Sequence, residues 1–129
     1  MPHALIIDDN MTISAAVQDR LTELGFDSFE QSWTEDQAVA AATHHHPDLV
    51  VIGDTLIAGS PVEAARRISQ TQNTTLLAIT ADGTALAQRL PASTAVHGPY
   101  SLTEIEAAVD DATHDSTRIA ASVAENHGF

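Results

Sequence analysis

At 129 residues the chain has the length of one domain with a single sizeable core, and its 18 Asp plus Glu against 5 Lys plus Arg give a formal net charge of −13. Such a surface repels phosphate backbones and anionic headgroups, which argues against nucleic-acid and membrane-surface partners. Cysteine is absent, so disulfides, thiol catalysis and thiolate metal sites fall away together, and with neither a long apolar run nor a leader-like start a cytoplasmic protein is expected.

In chain order, Ala4-Leu5-Ile6-Ile7 is a short apolar run that stops at Asp8-Asp9-Asn10. Carboxylates are costly to bury, so this pair belongs where a strand emerges from the core. Ile13, Ala16, Val17, Leu21 and Leu24 recur at helical spacing, and Gly25 supplies the stop. Phe26-Asp27-Ser28-Phe29 reads as a polar-interrupted edge strand. Thr34 caps a helix through Glu35, Ala38, Val39 and Ala42 that runs out in His44-His45-His46 before Pro47. Leu49-Val50-Val51-Ile52 is apolar throughout, which predicts a central strand covered on both faces, closing at Gly53-Asp54. Pro61 opens the next helix, with Val62, Ala65, Ile68 and Ser69 inward and Arg66 and Arg67 outward. Leu76 to Thr80 is a further buried strand, residues 84–90 a short helix, and Ala95-Val96-His97 a brief strand ending at Gly98-Pro99-Tyr100. Ser101 with Glu104 forms a capping box for a helix through Leu102, Ile105, Ala108, Val109 and Ala112.

Strands alternating with helices demand an α/β fold: a parallel sheet with helices on both faces. Residues 1–112 form the domain, and 113–129 carry a weak apolar stripe (Ile119, Ala120, Val123, Ala124) that predicts a C-terminal helical tail. That tail either packs on its own domain or offers a surface for a homodimer or another partner. Ligands in such sheets bind beyond the carboxyl ends of the strands, which directs attention to Asp8, Asp9, Gly53 and Asp54.

The stretches Leu5 to Asn10, Pro47 to Val50, Val62 to Ile68, Ile79-Thr80-Ala81 and Pro99 to Leu102 together resemble the receiver domain of bacterial response regulators, over residues 4 to about 112. The resemblance implies five strands in the order 2-1-3-4-5. It also implies a site in which an acidic pair binds Mg²⁺ and an Asp ending the third strand takes a phosphoryl group from a histidine kinase. A Thr or Ser hydroxyl and a Lys preceding a proline then stabilise the phosphoryl oxygens. A carboxylate nucleophile needs such a cation and fixed donors where charge develops. Asp8 and Asp9 match the acidic pair and Thr80 the hydroxyl. The acceptor position, however, is Gly53, the lysine position before Pro99 is Gly98, and the aromatic position three residues earlier is Ala95. Glycine offers neither a nucleophile nor a charge, so the pattern is that of an atypical receiver, a pseudo-receiver.

Asp54 lies one residue past the acceptor position, and a one-residue step turns a strand side chain to the other face. A bulge at Gly53 would re-aim it toward Asp8 and Asp9, restoring a Mg²⁺ set of Asp8, Asp9 and Asp54 and a phosphoacceptor; otherwise Asp54 is solvated or caps the loop. The expected state is an acidic pocket with weak Mg²⁺ affinity and no other cofactor. His44 to His46 suit the end of a helix, where cations are favourable; successive helical positions do not converge on a metal. His97 reads as a half-exposed strand residue, Tyr100 and Leu102 as partner-surface candidates, and Trp33 as packing.

The leading functional expectation is an atypical, stand-alone response-regulator receiver in two-component signalling. It would bind a sensor histidine kinase, a phosphotransfer protein or another signalling protein without phosphorylation and without enzymatic activity. The alternative is a single-domain phosphoreceiver that uses Asp54 in a His–Asp phosphorelay. A phosphatase of the haloacid-dehalogenase kind needs a second Asp two residues after Asp8, where Asn10 stands.

Overall fold

The computed structural model describes residues 3–80 and 96–110. Strand β1 (His3–Ile7) leads into helix α1 (Met11–Glu23), then β2 (Ser28–Ser32), α2 (Glu35–His45), β3 (Leu49–Ile52), α3 (Pro61–Thr71), β4 (Thr75–Ile79) and β5 (Val96–Tyr100). A 3₁₀ turn over Leu102–Glu104 follows, with α-helix from 105 to 110. The five strands form one sheet in the order β2-β1-β3-β4-β5, and every pairing is parallel. This is the α/β architecture and the strand order that the resemblance implied.

All four residues of β3 are buried, as a central strand covered on both faces requires. Strand parity splits the core in two. Leu5, Ile7, Val50, Ile52, Leu76 and Ala78 face Ala38, Ala42, Ala65 and Ile68 of α2 and α3. Ala4, Ile6, Val51, Leu77 and Ile79 face Val17 and Leu21 of α1 and Ile105 and Ala108. Each fully buried Leu or Ile contributes about 1.5–3 kcal/mol.

Caps set the helix boundaries. Asn10, Thr34 and Ser60 each accept a hydrogen bond from a first-turn amide of α1, α2 and α3, and Pro61 occupies the first turn of α3. Helix α2 ends at His46 in the left-handed region (φ 45°), which turns the chain into buried Pro47. Glu104 accepts from both the amide and the hydroxyl of Ser101, at 2.9 and 2.8 Å, so the serine hydroxyl serves here as donor.

Several expectations are corrected. The second strand lies two residues later than Phe26–Phe29, because Gly25 and Phe26 close the end of α1 with bonds to Thr22 O and Leu21 O. Leu24 is the exposed residue that ends α1, and Ser69 is exposed while Ala64 takes the inward place. Strand β5 runs on through Gly98 and Pro99, whose peptide bond is cis, and its pairing with β4 shifts register between Leu77 and Ile79. The expected helix over 84–90, Ala95 and the 113–129 tail lie outside the described residues.

Candidate functional site

The carboxyl edge of the sheet gathers Asp8 and Asp9 after β1, Gly53 and Asp54 after β3, Thr80 after β4 and Gly98-Pro99 in β5. The ladder runs regularly into this edge: Gly53 N donates to Ile7 O at 2.9 Å and Asp8 N to Ser32 O at 3.2 Å. The register of β3 with β1 and β4 is unbroken through Ile52, and Asp54 follows Gly53 in a bend beyond the end of the strand. Parity decides the face at position 53. Gly53 follows Leu49 and Val51 onto the face that Ala4 and Ile6 share, where Asp8 lies. Asp54, in the bend, reaches Thr80 and lies near enough to Asp8 for its charge to act on that carboxyl.

The contacts bear this out. A Cβ on Gly53 would fall 2.0 Å from Asp8 Oδ2 and 2.3 Å from its Cγ, so the Asp8 carboxylate fills the space that an acceptor side chain would enter. Asp54 is half-buried, and its Oδ1 accepts a hydrogen bond from the Thr80 hydroxyl. Asp9 Oδ1 takes the hydroxyl of Thr55 at 2.6 Å, and Thr55 O accepts from Asp9 N at 3.1 Å. Asp8 Oδ1 accepts from Asn10 N at 3.0 Å.

Asp8 is 4% exposed. Burial pushes its carboxyl above the ordinary range, to about 6; the Asn10 amide pulls down, and the Asp9 and Asp54 charges push up further. Among the described residues Asp8, Asp9 and Asp54 do not bring three ligand atoms within 4.8 Å of one another. The three carboxylates expected for Mg²⁺ are not gathered that closely; an ion that keeps several waters and takes one or two carboxylates would be held here by Asp8 and Asp9.

Gly98 has φ +112°, a conformation L side chains rarely adopt, and a Cβ there would meet Ala78 O at 2.9 Å. A lysine would not fit this backbone, and the chain holds no lysine: its five basic residues are arginines. Arg20, Arg66 and Arg67 pair with Glu106, Glu63, and Glu35 plus Asp36. Tyr100 and Leu102 are half-buried, packed in part against the core. His97 is half-exposed, as expected. Trp33, by contrast, is exposed, as are Met11 and Ile57, all on carboxyl-edge segments beside the acidic pocket. Thr55 was not foreseen; its only signal was a hydroxyl next to Asp54 in a turn.

The fold is that of response-regulator receiver domains. PhyR from Brucella abortus, a response regulator, is similar at a TM-score of 0.76 and 22% identity, with 98% of this chain and 53% of that chain covered. The signal receiver domain of a modulated diguanylate cyclase from Desulfovibrio desulfuricans is similar at a TM-score of 0.74 and 21% identity, covering 91% of this chain and 97% of that one. A chemotaxis response regulator of Vibrio cholerae gives a TM-score of 0.68 at 19% identity, covering 87% and 98%. No family model matches the sequence, and no curated protein matches it. No helix among the described residues is long and apolar enough to cross a membrane.

Proposed function

We propose that this chain is a receiver-fold signalling module of two-component pathways that acts in the cytoplasm by binding a protein partner, without phosphorylation and without catalytic turnover. The observation that carries this reading is Gly53 against Asp8: the acceptor position has no side chain, and the neighbouring carboxylate occupies its space. Gly98 removes the fixed counter-charge that phosphoryl transfer needs. Met11, Trp33 and Ile57 add exposed apolar area around the pocket, of the kind that protein partners bury. A sensor histidine kinase, a phosphotransfer protein or another signalling protein is the class of partner. PhyR from Bartonella quintana is described as an anti-anti-sigma factor, and an output of protein binding of that sort suits the present chain.

A second reading, in which Asp54 accepts phosphate in a relay, is favoured by its hydrogen bond from Thr80. Incubation with Mg²⁺ and acetyl phosphate, read by intact mass, separates the two. Binding alone predicts an unchanged mass, and amide resonances at Asp8, Asp54 and Thr80 that stay in place on adding beryllofluoride with Mg²⁺. A labile phosphoryl adduct that disappears in Asp54→Asn would replace the leading reading with the second.

A further inference from the structure

At the opposite, amino edge of the sheet, three side chains from three elements converge. His3 opens β1, Glu30 lies on edge strand β2, and His45 is the last residue of α2. Glu30 pairs with Leu5, whose side chain faces α2, so Glu30 and His3 share that face under the helix end. One ligand atom each of His3, Glu30 and His45, a ring nitrogen from either histidine and a carboxylate oxygen, lie within 4.8 Å of one another. From this arrangement we infer a divalent transition-metal site, of the Zn²⁺ type, built from His3, Glu30 and His45.

The inference rests on how the ligands are held. His3 Nε2 is buried and has no hydrogen-bond partner. Its other ring nitrogen lies 2.7 Å from Ser28 Oγ. With Ser28 accepting from Nδ1–H, Nε2 presents a bare lone pair toward Glu30 Oε1, 3.8 Å away. An outer partner that fixes the tautomer in this way is the usual support of a metal-bound histidine. The main chain is fixed as well: His3 N donates to Asp48 Oδ2, and Asp48 N to His3 O, each at 2.8 Å. His45 Nδ1 and Glu30 Oε1 are 2.6 Å apart, sharing a proton that a cation can replace.

Distances and ligand types agree on the class of ion. Ligands at 2.0–2.1 Å around tetrahedral Zn²⁺ are about 3.3 Å apart. The observed 2.6 and 3.8 Å fall on either side of that spacing. Two imidazoles and one carboxylate suit Zn²⁺ and its first-row neighbours over Mg²⁺ or Ca²⁺. A cavity of about 310 Å³ bordered by Glu30, Gln37, His44 and His45 adjoins two of the three ligands, Glu30 and His45. The ion would tie β1, β2 and the end of α2 together.

The test uses the full chain, purified without a histidine tag. Co²⁺ should give the visible absorption of a tetrahedral complex at one equivalent, and Zn²⁺ should displace it. Glu30→Gln should weaken binding by more than about tenfold, and Ser28→Ala by about tenfold or more. His46→Asn, which keeps a residue tolerant of the left-handed backbone, should change nothing. In the unaltered chain, Zn²⁺ should shift the ring nitrogens of His3 and His45 in ¹⁵N spectra, a readout that does not depend on any variant folding. Octahedral Co²⁺ absorption, unshifted His3 resonances, or affinity lost equally in His46→Asn would overturn the proposal and leave only adventitious capture by the surface run at 44–46.

Discussion

Gly53 and Asp8 act as a pair. A hydrogen atom at position 53 is what lets the Asp8 carboxylate lie against the main chain, and burial there raises its pKa to about 6. The sign of the linkage follows. Between the ordinary carboxylate pKa near 4 and about 6, the folded state holds a proton that the unfolded chain has released. Stability contributed by protonated Asp8 is therefore present at low pH and lost as pH rises from about 4 through 6, at most some 3 kcal/mol. Urea unfolding across that window should show the decline, and Asp8→Asn should abolish it while stabilising the protein at pH 7; a variant with the same pH profile would refute the assignment. Gly53→Ala should cost about 1–3 kcal/mol by overpacking against Asp8. In an Asp8→Ala background most of that loss should vanish, so the two substitutions are coupled in a double-mutant cycle and strict additivity would count against the contact.

At the scale of elements, β5 shows why restoring one residue does not restore a site. Its register shifts against β4, Gly98 sits at φ +112°, and a Cβ would press on Ala78 O. Gly98→Lys should therefore lose about 1–3 kcal/mol in chemical denaturation without creating phosphoacceptor activity; a stable, phosphorylatable Gly98→Lys protein would contradict this account. The loops after β2 and β3 are tied to each other: Ile57 N donates to Trp33 O at 2.9 Å, Glu35 N to Ala58 O at 2.9 Å, and Ser60 N to Glu35 Oε1 at 3.1 Å. Those bonds hold Trp33 and Ile57 out toward solvent, where an inward-packing tryptophan had been expected.

For the whole molecule, charge is the dominant surface property. A formal charge of −13 on 129 residues opposes compaction by self-repulsion, and exposed charges are screened within about 8 Å at physiological salt. Tm should rise by several degrees between low and physiological ionic strength at neutral pH; a flat or falling Tm in a salt series would show that local ion pairs outweigh the net repulsion. The two pockets of titratable groups stand at opposite edges of the same sheet, the acidic one past the carboxyl ends of β1 and β3 and the histidine-containing one at the amino ends of β1 and β2.

Sequence alone pointed to the parallel α/β architecture, because a short β-branched apolar run bounded by turn signals, such as Leu49 to Ile52, reads as a strand buried on both faces, and because helical periodicity separates such runs. It also determined that no carboxylate stands at position 53 and no cation at position 98. Edge strand β2 was harder to place, since Glu30 and Gln31 carry no apolar alternation. Only the tertiary structure decided where the remaining carboxylates go: Asp8 onto Gly53, Asp9 to Thr55, Asp54 to Thr80. It alone brought His3, Glu30 and His45 together, from positions 27 and 15 residues apart in the chain. The physical reason is common to both. Periodicity reports which face of an element is apolar, whereas the meeting of polar side chains depends on strand register and helix docking, which no local pattern encodes.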